Sequence, residues 1–412
     1  MSGAAPPRPT VPVGIAALAL TMLLGLQPIT TDLYLPTLPV LAAHFGALPS
    51  ALQLTMSVMV LSFGIGQLVW GPVADRFGRR PVLLLGLSVY LAASIGAALA
   101  GTIEWLVAMR GLQGATLAAS VVCGRAMVRD LYDPRQGAQV MARGLTGLGL
   151  TALLSPPLGG LVTALWGWHA AFAAIAVLGG TTLLFIALRL PETQPQHNPE
   201  ALRPGPLLRT WATMPRNRTF AGYAGLSACT YAGLMLFLVG SSFLMKRLLG
   251  LTPLQYGLAL MSVSVAYILG TVLCRRALPR FGMAAVARCG AALALLGGAA
   301  MAALALAGVQ GLWALLLPQL VYSVGHGLSQ PCCQAGAVSA FPRQAGTAAA
   351  LAGSILALLT FGTTWWLGHV LADSPVPVAL GSGLSGALAT LIAYTVLPPD
   401  RTAFAARARA RA

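Results

Sequence analysis

The sequence predicts an all-α polytopic membrane protein, with twelve transmembrane helices in two pseudo-symmetric six-helix bundles. Three observations predict it: apolar runs of crossing length fill the chain, arginine crowds the loops on one side, and one loop motif recurs about half a chain apart. Hydrophobic residues make up 57% of the chain and charged residues only 8%, where a soluble domain carries roughly a quarter charged. A soluble fold has no place to hide that much apolar surface. The 47 glycines lie largely within the apolar runs, which membrane helices tolerate better than soluble ones.

Crossing ~30 Å of hydrocarbon takes ~20 apolar residues. Runs of that length fall at 13–40, 52–73, 81–101, 105–126, 138–163 and 168–190. Six more fall at 219–244, 254–275, 284–307, 311–334, 345–371 and 377–397. The first run is long, carries Asp32 and lacks a small-residue cleavage site, so it is expected to stay as the first helix rather than be removed as a signal. An even number of crossings puts both termini on one side. Of the 25 basic residues, all but Arg110, Lys246 and Arg247 fall on that side. This positive-inside bias predicts a multi-pass membrane protein with both termini in the cytoplasm. It also accounts for the net charge of +16 without nucleic acid. Trp105, Trp166, Trp168, Trp365 and Trp366 lie at predicted outer boundaries and are expected to be interface anchors.

Between the sixth and seventh runs lies a proline-rich polar stretch that cannot form a core, which gives four units: a bundle at 1–190, a cytoplasmic linker at 191–218, a bundle at 219–400 and a basic tail at 401–412. A short amphipathic turn with Trp211 is expected within the linker. The loop after the second run reads Arg76-Phe77-Gly78 and the loop after the eighth reads Arg280-Phe281-Gly282. That match supports duplicated six-helix units with a substrate site between them near mid-membrane.

Longer motifs connect the chain to a known family. Gly71-Pro72-Val73-Ala74-Asp75-Arg76-Phe77-Gly78-Arg79-Arg80 resembles the signature loop of the major facilitator superfamily, and Arg110-Gly111-Leu112-Gln113-Gly114 is similar to its Arg-x-x-Gln-Gly element. In the loop, Gly71 is expected to allow close helix approach, Gly78 to turn the chain, and Asp75 to hold a gate through basic groups or helix N-termini. In the fifth run, Gly147, Gly149, Ser155-Pro156-Pro157 and Gly159-Gly160 resemble the superfamily's antiporter motif, with Ser155 where a glycine is usual. The run Thr31-Asp32-Leu33-Tyr34-Leu35-Pro36-Thr37-Leu38-Pro39 resembles the bicyclomycin- and chloramphenicol-resistance (Bcr/CflA) exporters, although Ser242 stands where that group has a proline. The resemblance implies proton-coupled multidrug efflux by alternating access in the bacterial inner membrane. The alternative is proton-coupled transport of a native metabolite.

Of nine acids only Asp32 lies well within a run, and a carboxylate at that depth costs ~2.5–3.5 kcal/mol unless it faces water or a cation. Arg110 sits at comparable depth. The pair is expected to couple protons to cargo, Asp32 alternately holding a proton and meeting Arg110 or a cationic passenger. A static structural role for Arg110, bonding backbone carbonyls, is the other reading. Candidate cavity residues are Gln27, Thr31, Tyr34 and Gln113 from the first half, with Tyr223, Ser227, Tyr231, Gln319, Tyr322 and Ser323 from the second. His326 and His369 are further proton-carrier candidates. The six cysteines lack metal-ligand spacing and read as packing residues. No catalytic constellation, metal set, nucleotide loop or pore-loop repeat is present, so an enzyme, a channel and an ATP-driven pump are disfavoured. The expectation is a transporter without cofactor, coupled to protons, working as a monomer on a small-molecule substrate.

Overall fold

The computed structural model describes residues 11–194, 199–371 and 374–398. The predicted tail 401–412 and the positions of Arg8 and Asp373 lie outside the described residues. Described residues form α1 (Val13–Asp32), α2 (Leu38–Phe45), α3 (Pro49–Phe77), α4 (Arg79–Ala98), α5 (Ile103–Leu131) and α6 (Pro134–Arg189). Then follow α7 (Pro204–Thr213), α8 (Arg218–Leu249), α9 (Pro253–Phe281), α10 (Met283–Leu306), α11 (Leu312–Ser339), α12 (Ala345–Val370) and α13 (Val376–Thr395).

Among the described residues ten helices are long and apolar enough to cross a membrane. One of them, Gln136–Arg189, turns back at Gly167 (φ 80°, ψ −180°) and holds two crossings. Only glycine adopts that backbone cheaply, so the fifth and sixth predicted runs become one broken helix. α11 is long enough but polar residues interrupt it, among them Gln319, Ser323, His326 and Gln330. With it the crossings number twelve. The first crossing is α1, a 3-10 turn at Leu35–Thr37 and α2 together. Pro36 and Pro39 lack the amide hydrogen a continuous helix needs, which explains the break just after Asp32. The predicted linker turn is a full helix, α7, and its Trp211 packs against the core cluster that contains Met214.

The two chain halves repeat one packing scheme. α3 packs on α5 as α9 packs on α11, and α4 on α5 as α10 on α11. α4 meets the second arm of α6 as α10 meets α13. The repeated loops have matching backbones, with Gly78 at φ 98°, ψ 152° and Gly282 at φ 80°, ψ 168°. Each makes a one-residue break between helices in a conformation that side chains disfavour. The halves meet at two crossed seams, α3 on α12 and α6 on α9.

Lipid tails are as apolar as leucine, so helix association there rests on close packing and interhelical hydrogen bonds. Glycine supplies the approach. A Cβ at Gly159 would strike the Leu33 carbonyl, and at Gly147 the Thr21 side chain. Gly160 meets the Pro253 carbonyl and Gly257 the Pro156 carbonyl across the α6–α9 seam. Gly71 does not behave this way: its nearest neighbour is Val122 Cγ1 at an ordinary 3.9 Å. On α3 the tight contacts belong to Gly64 against Ala357 and Gly66 against the Ala115 carbonyl. Leucines such as Leu85, Leu188, Leu296 and Leu384 point outward, as lipid contact requires. Trp105, Trp166, Trp365 and Trp366 are likewise exposed, but Trp168 is 3% exposed and stacks on His169. The chain reversal at Gly167 folds Trp168 inward, so it is a packing residue and not an anchor.

Candidate cargo cavity and the polar core behind it

A cavity of about 200 Å³ lies between the halves. Gln27 and Thr31 of α1 bound it near mid-depth. Arg125 of α5, Val338 of α11 and Ala349 of α12 carry its wall to the helix ends on the arginine-rich face. Its wall is mostly apolar, with Val60, Phe63, Val121 and Leu356, and it is set with amides from Gln67, Gln330 and Gln334. On the opposite face the halves are joined, with the Ser57 and Thr364 hydroxyls 2.7 Å apart and Gly368 packed against Ser50. Nearer mid-depth, Ser354 donates to the Gly64 carbonyl at 2.6 Å and Ser264 to the Ala152 carbonyl at 3.3 Å.

Of the residues predicted for cargo, Gln27, Thr31, Ser227 and Tyr231 line this cavity. Tyr34, Gln113, Tyr223, Gln319, Tyr322 and Ser323 do not, being turned into the two bundle interiors. Tyr322 donates to the Thr230 carbonyl at 3.0 Å, and Gln319 to Ser323 Oγ at 3.3 Å. Tyr223 packs on Gly336. Each of these helices is polar on more than one face, and sequence spacing alone leaves open which face the cavity takes. Gln67, Arg125, Gln330 and Gln334 are wall residues that the sequence does not single out. Arg125 sits one residue before the predicted end of its span, where it counts as a loop arginine, yet α5 continues to Leu131. Gln330 and Gln334 are one helical turn apart, a signal available in the sequence.

Arg110 has 0% exposure and stands behind α1, away from the cavity. It donates to the Thr30 carbonyl and to Gln113 Oε1, both at 3.0 Å, and its guanidinium lies 4.3 Å from the Tyr34 ring centroid. Around it Gln113 donates to Ser94 Oγ at 2.8 Å, and the Thr30 and Tyr90 hydroxyls lie 2.5 Å apart. Tyr34 reaches Thr55 Oγ1 at 2.6 Å. This network closes on itself inside the first half.

Asp32 is half-buried and makes no ion pair with Arg110. The Thr31 hydroxyl donates to Asp32 Oδ1 at 2.7 Å, and Thr31 itself lines the cavity. Tyr231 and Tyr256 of the other half stand near Asp32. The carboxylate therefore sits just beyond the inner end of the cavity, one hydrogen bond from its wall.

At the arginine-rich face Asp75 pairs with Arg79 at 2.5 Å, and Arg79 reaches Asp130 at 3.4 Å. Glu192, not Asp75, takes the helix N-terminus, accepting from the Arg79 and Arg80 amides at 3.1 and 3.0 Å. An acid there meets unpaired amides and the positive end of the helix dipole. His326 is buried between the Tyr231 and Tyr267 rings with Nδ1 unpartnered, and His369 is exposed.

Two helical bundles, a cavity between them and a signature loop between helices narrow the choice of family, and residues 13–363 match the one described as the Major Facilitator Superfamily. The chain belongs to the major facilitator superfamily. It is a multi-pass membrane transporter of that superfamily and not an enzyme. Among other superfamily members it is 29% identical to the Escherichia coli multidrug resistance protein D, over 92% of this chain and 93% of that protein. It is 31% identical to a chloramphenicol resistance protein of Pseudomonas aeruginosa, over 81% of this chain and 82% of that one. The superfamily fold is also that of a crystallised D-xylose-proton symporter, with a TM-score of 0.71 over 93% of this chain and 98% of that chain at 19% identity.

Proposed function

We propose that the protein is a proton-driven exporter of small hydrophobic compounds in the bacterial inner membrane, acting as a monomer with both termini in the cytoplasm. Residues 1–190 and 219–400 form its two rocking units, joined by the linker at 191–218. The observation that carries this reading is the cavity itself: an apolar wall with a few amides and hydroxyls, bounded by Thr31, whose hydroxyl is bonded to the half-buried Asp32. Such a wall suits bulky, partly lipophilic cargo and requires few directional contacts. The resistance proteins among the relatives support the efflux direction. Taking the arginine-rich face as cytoplasmic, the cavity reaches inward and the joined face is the periplasmic one, which is the loading state of an exporter.

Asp32 is then the proton site. With the carboxyl protonated, Thr31 and Tyr231 are neutral neighbours to an empty cavity. Arrival of cargo against Thr31 and Tyr231 perturbs the one hydrogen bond Asp32 receives, and loss of its proton completes the exchange. Arg110 holds α1 and α5 in register and does not itself meet the cargo in this state.

The test is accumulation in everted membrane vesicles. Uptake of a lipophilic fluorescent substrate should rise when a proton gradient, acid inside, is imposed and should collapse with a protonophore. Uptake driven in the opposite sense would mark a symporter of a metabolite and sink the reading.

A further inference from the structure

We propose that Arg125 anchors the acidic end of the cargo, so that the cavity takes amphipathic organic anions, head group toward the arginine-rich face and apolar body toward mid-membrane. This rests on the cavity being the cargo site. Among the described residues Arg125 is the charged one on the cavity wall, and no carboxylate lines it. Its guanidinium makes no hydrogen bond or ion pair with any of them, and its Nε is buried without a partner. Its electrostatic neighbour is Arg129, a like charge. An intramembrane guanidinium that faces a cavity and has no protein partner is open to an anion from that cavity. Arg110 likewise leaves its Nε unpartnered, but its terminal nitrogens are spent on Thr30, Gln113 and the Met56 and Met59 sulfurs.

The groups nearby are arranged to donate as well. Gln330 uses its carbonyl to accept from Ser227 at 2.8 Å, which leaves its NH₂ for the cavity. A carboxylate or sulfonate matches the planar fork of an arginine in two parallel hydrogen bonds. Val121 lies one turn from Arg125 on α5, and Val60 and Phe63 face it from α3, so an aromatic or aliphatic body can lie against them while its acid reaches the arginine. Asp32 stands at the far end of the cavity, beyond Thr31, where it does not repel that acid.

Two dyes with one aromatic framework test this directly: 8-anilinonaphthalene-1-sulfonate carries a sulfonate, and N-phenyl-1-naphthylamine is neutral. Binding is measured by fluorescence to the purified protein in phosphatidylcholine nanodiscs, with empty discs subtracted. The wild type should bind the sulfonate about tenfold tighter or better, R125Q should lose that preference while keeping its affinity for the neutral dye, and R125K should keep part of it. Equal affinities in the wild type, or a preference unchanged in R125Q, overturn the proposal. If R125Q is not recovered folded, naphthalene-1-sulfonate and naphthalene as competitors of the neutral dye in the wild type decide the question equally: the sulfonate should compete at the lower concentration, and equal competition overturns the proposal. Repeating the wild-type measurement in phosphatidylglycerol discs separates cargo from lipid: a preference lost only there assigns the anion site to a lipid head group and overturns the cargo assignment. Proton-driven export of the neutral dye is a separate readout. Its loss with the binding preference intact refutes the export reading and leaves the anion site standing.

Discussion

Depth alone pairs Asp32 with Arg110, but the structure gives the two residues different surroundings. Asp32 receives one hydrogen bond from a cavity-wall threonine, while Arg110 is enclosed by a carbonyl, an amide and a tyrosine ring. Those surroundings predict different phenotypes. Asp32→Asn keeps an acceptor for Thr31 but has no proton to release, so binding of cargo should persist while substrate-driven proton release, read with a pH dye in proteoliposomes, disappears. Release at the wild-type level would remove Asp32 as the coupling site. Arg110→Met leaves the Thr30 carbonyl and Gln113 Oε1 without their donor in a site closed to water. A buried acceptor left without its donor costs about 1–3 kcal/mol, so the midpoint of thermal unfolding in detergent should fall by several degrees. A stable, merely inactive variant would argue that Arg110 meets the proton or the cargo after all.

At the scale of the helix the antiporter-like stretch of α6 becomes a packing surface on two sides. Gly147 receives Thr21 of α1 and Gly159 the Leu33 carbonyl just after it, and Gly160 and Pro156 receive α9 opposite Gly257. A seam with backbone against backbone holds by contact alone. A side chain placed in it acts as a wedge. Gly257→Val should part the seam on the joined face and shift the population toward the state open there. Spin labels at positions 166 and 251 should report a longer distance than in the wild type. An unchanged distance distribution would mean the seam yields without moving the helices. The signature loop is similar in kind, since Glu192 from the end of α6 closes the N-terminus of α4, a role the loop's own sequence did not disclose because the acid arrives from more than a hundred residues away.

Across the whole molecule the two crossed seams leave one face joined and give the other to the cavity. Transport by rocking requires the joined face to open. The Ser57 and Thr364 hydroxyls, 2.7 Å apart, are close enough for a cysteine pair at those positions to bridge without moving the backbone much. The S57C/T364C double variant should lose transport on mild oxidation and regain it with reductant, while each single variant is indifferent to both. Transport persisting in the oxidised, cross-linked protein would exclude opening of this face.

The number of crossings, the duplication and the family were legible in the sequence because each rests on local quantities: run length, the side on which arginines fall, and loop motifs such as Arg76-Phe77-Gly78 and its repeat. Gly78 and Gly282 show why, since a backbone conformation needing glycine leaves its mark at a single position. The cavity was legible only in part. Gln27, Thr31, Ser227 and Tyr231 stand on its wall, but Gln113 and Tyr322 carry the same kind of polar group and belong to bundle interiors. A polar group in hydrocarbon must find a partner, and a sequence does not tell whether that partner is a neighbouring helix or a passenger. The sequence by itself therefore determined that this chain is a membrane-spanning transporter with one deep acid. The tertiary structure decided which polar side chains are spent on holding the bundles together and which, like Arg125, are left facing the cavity, because only the rotation and approach of whole helices settle which donors are already satisfied.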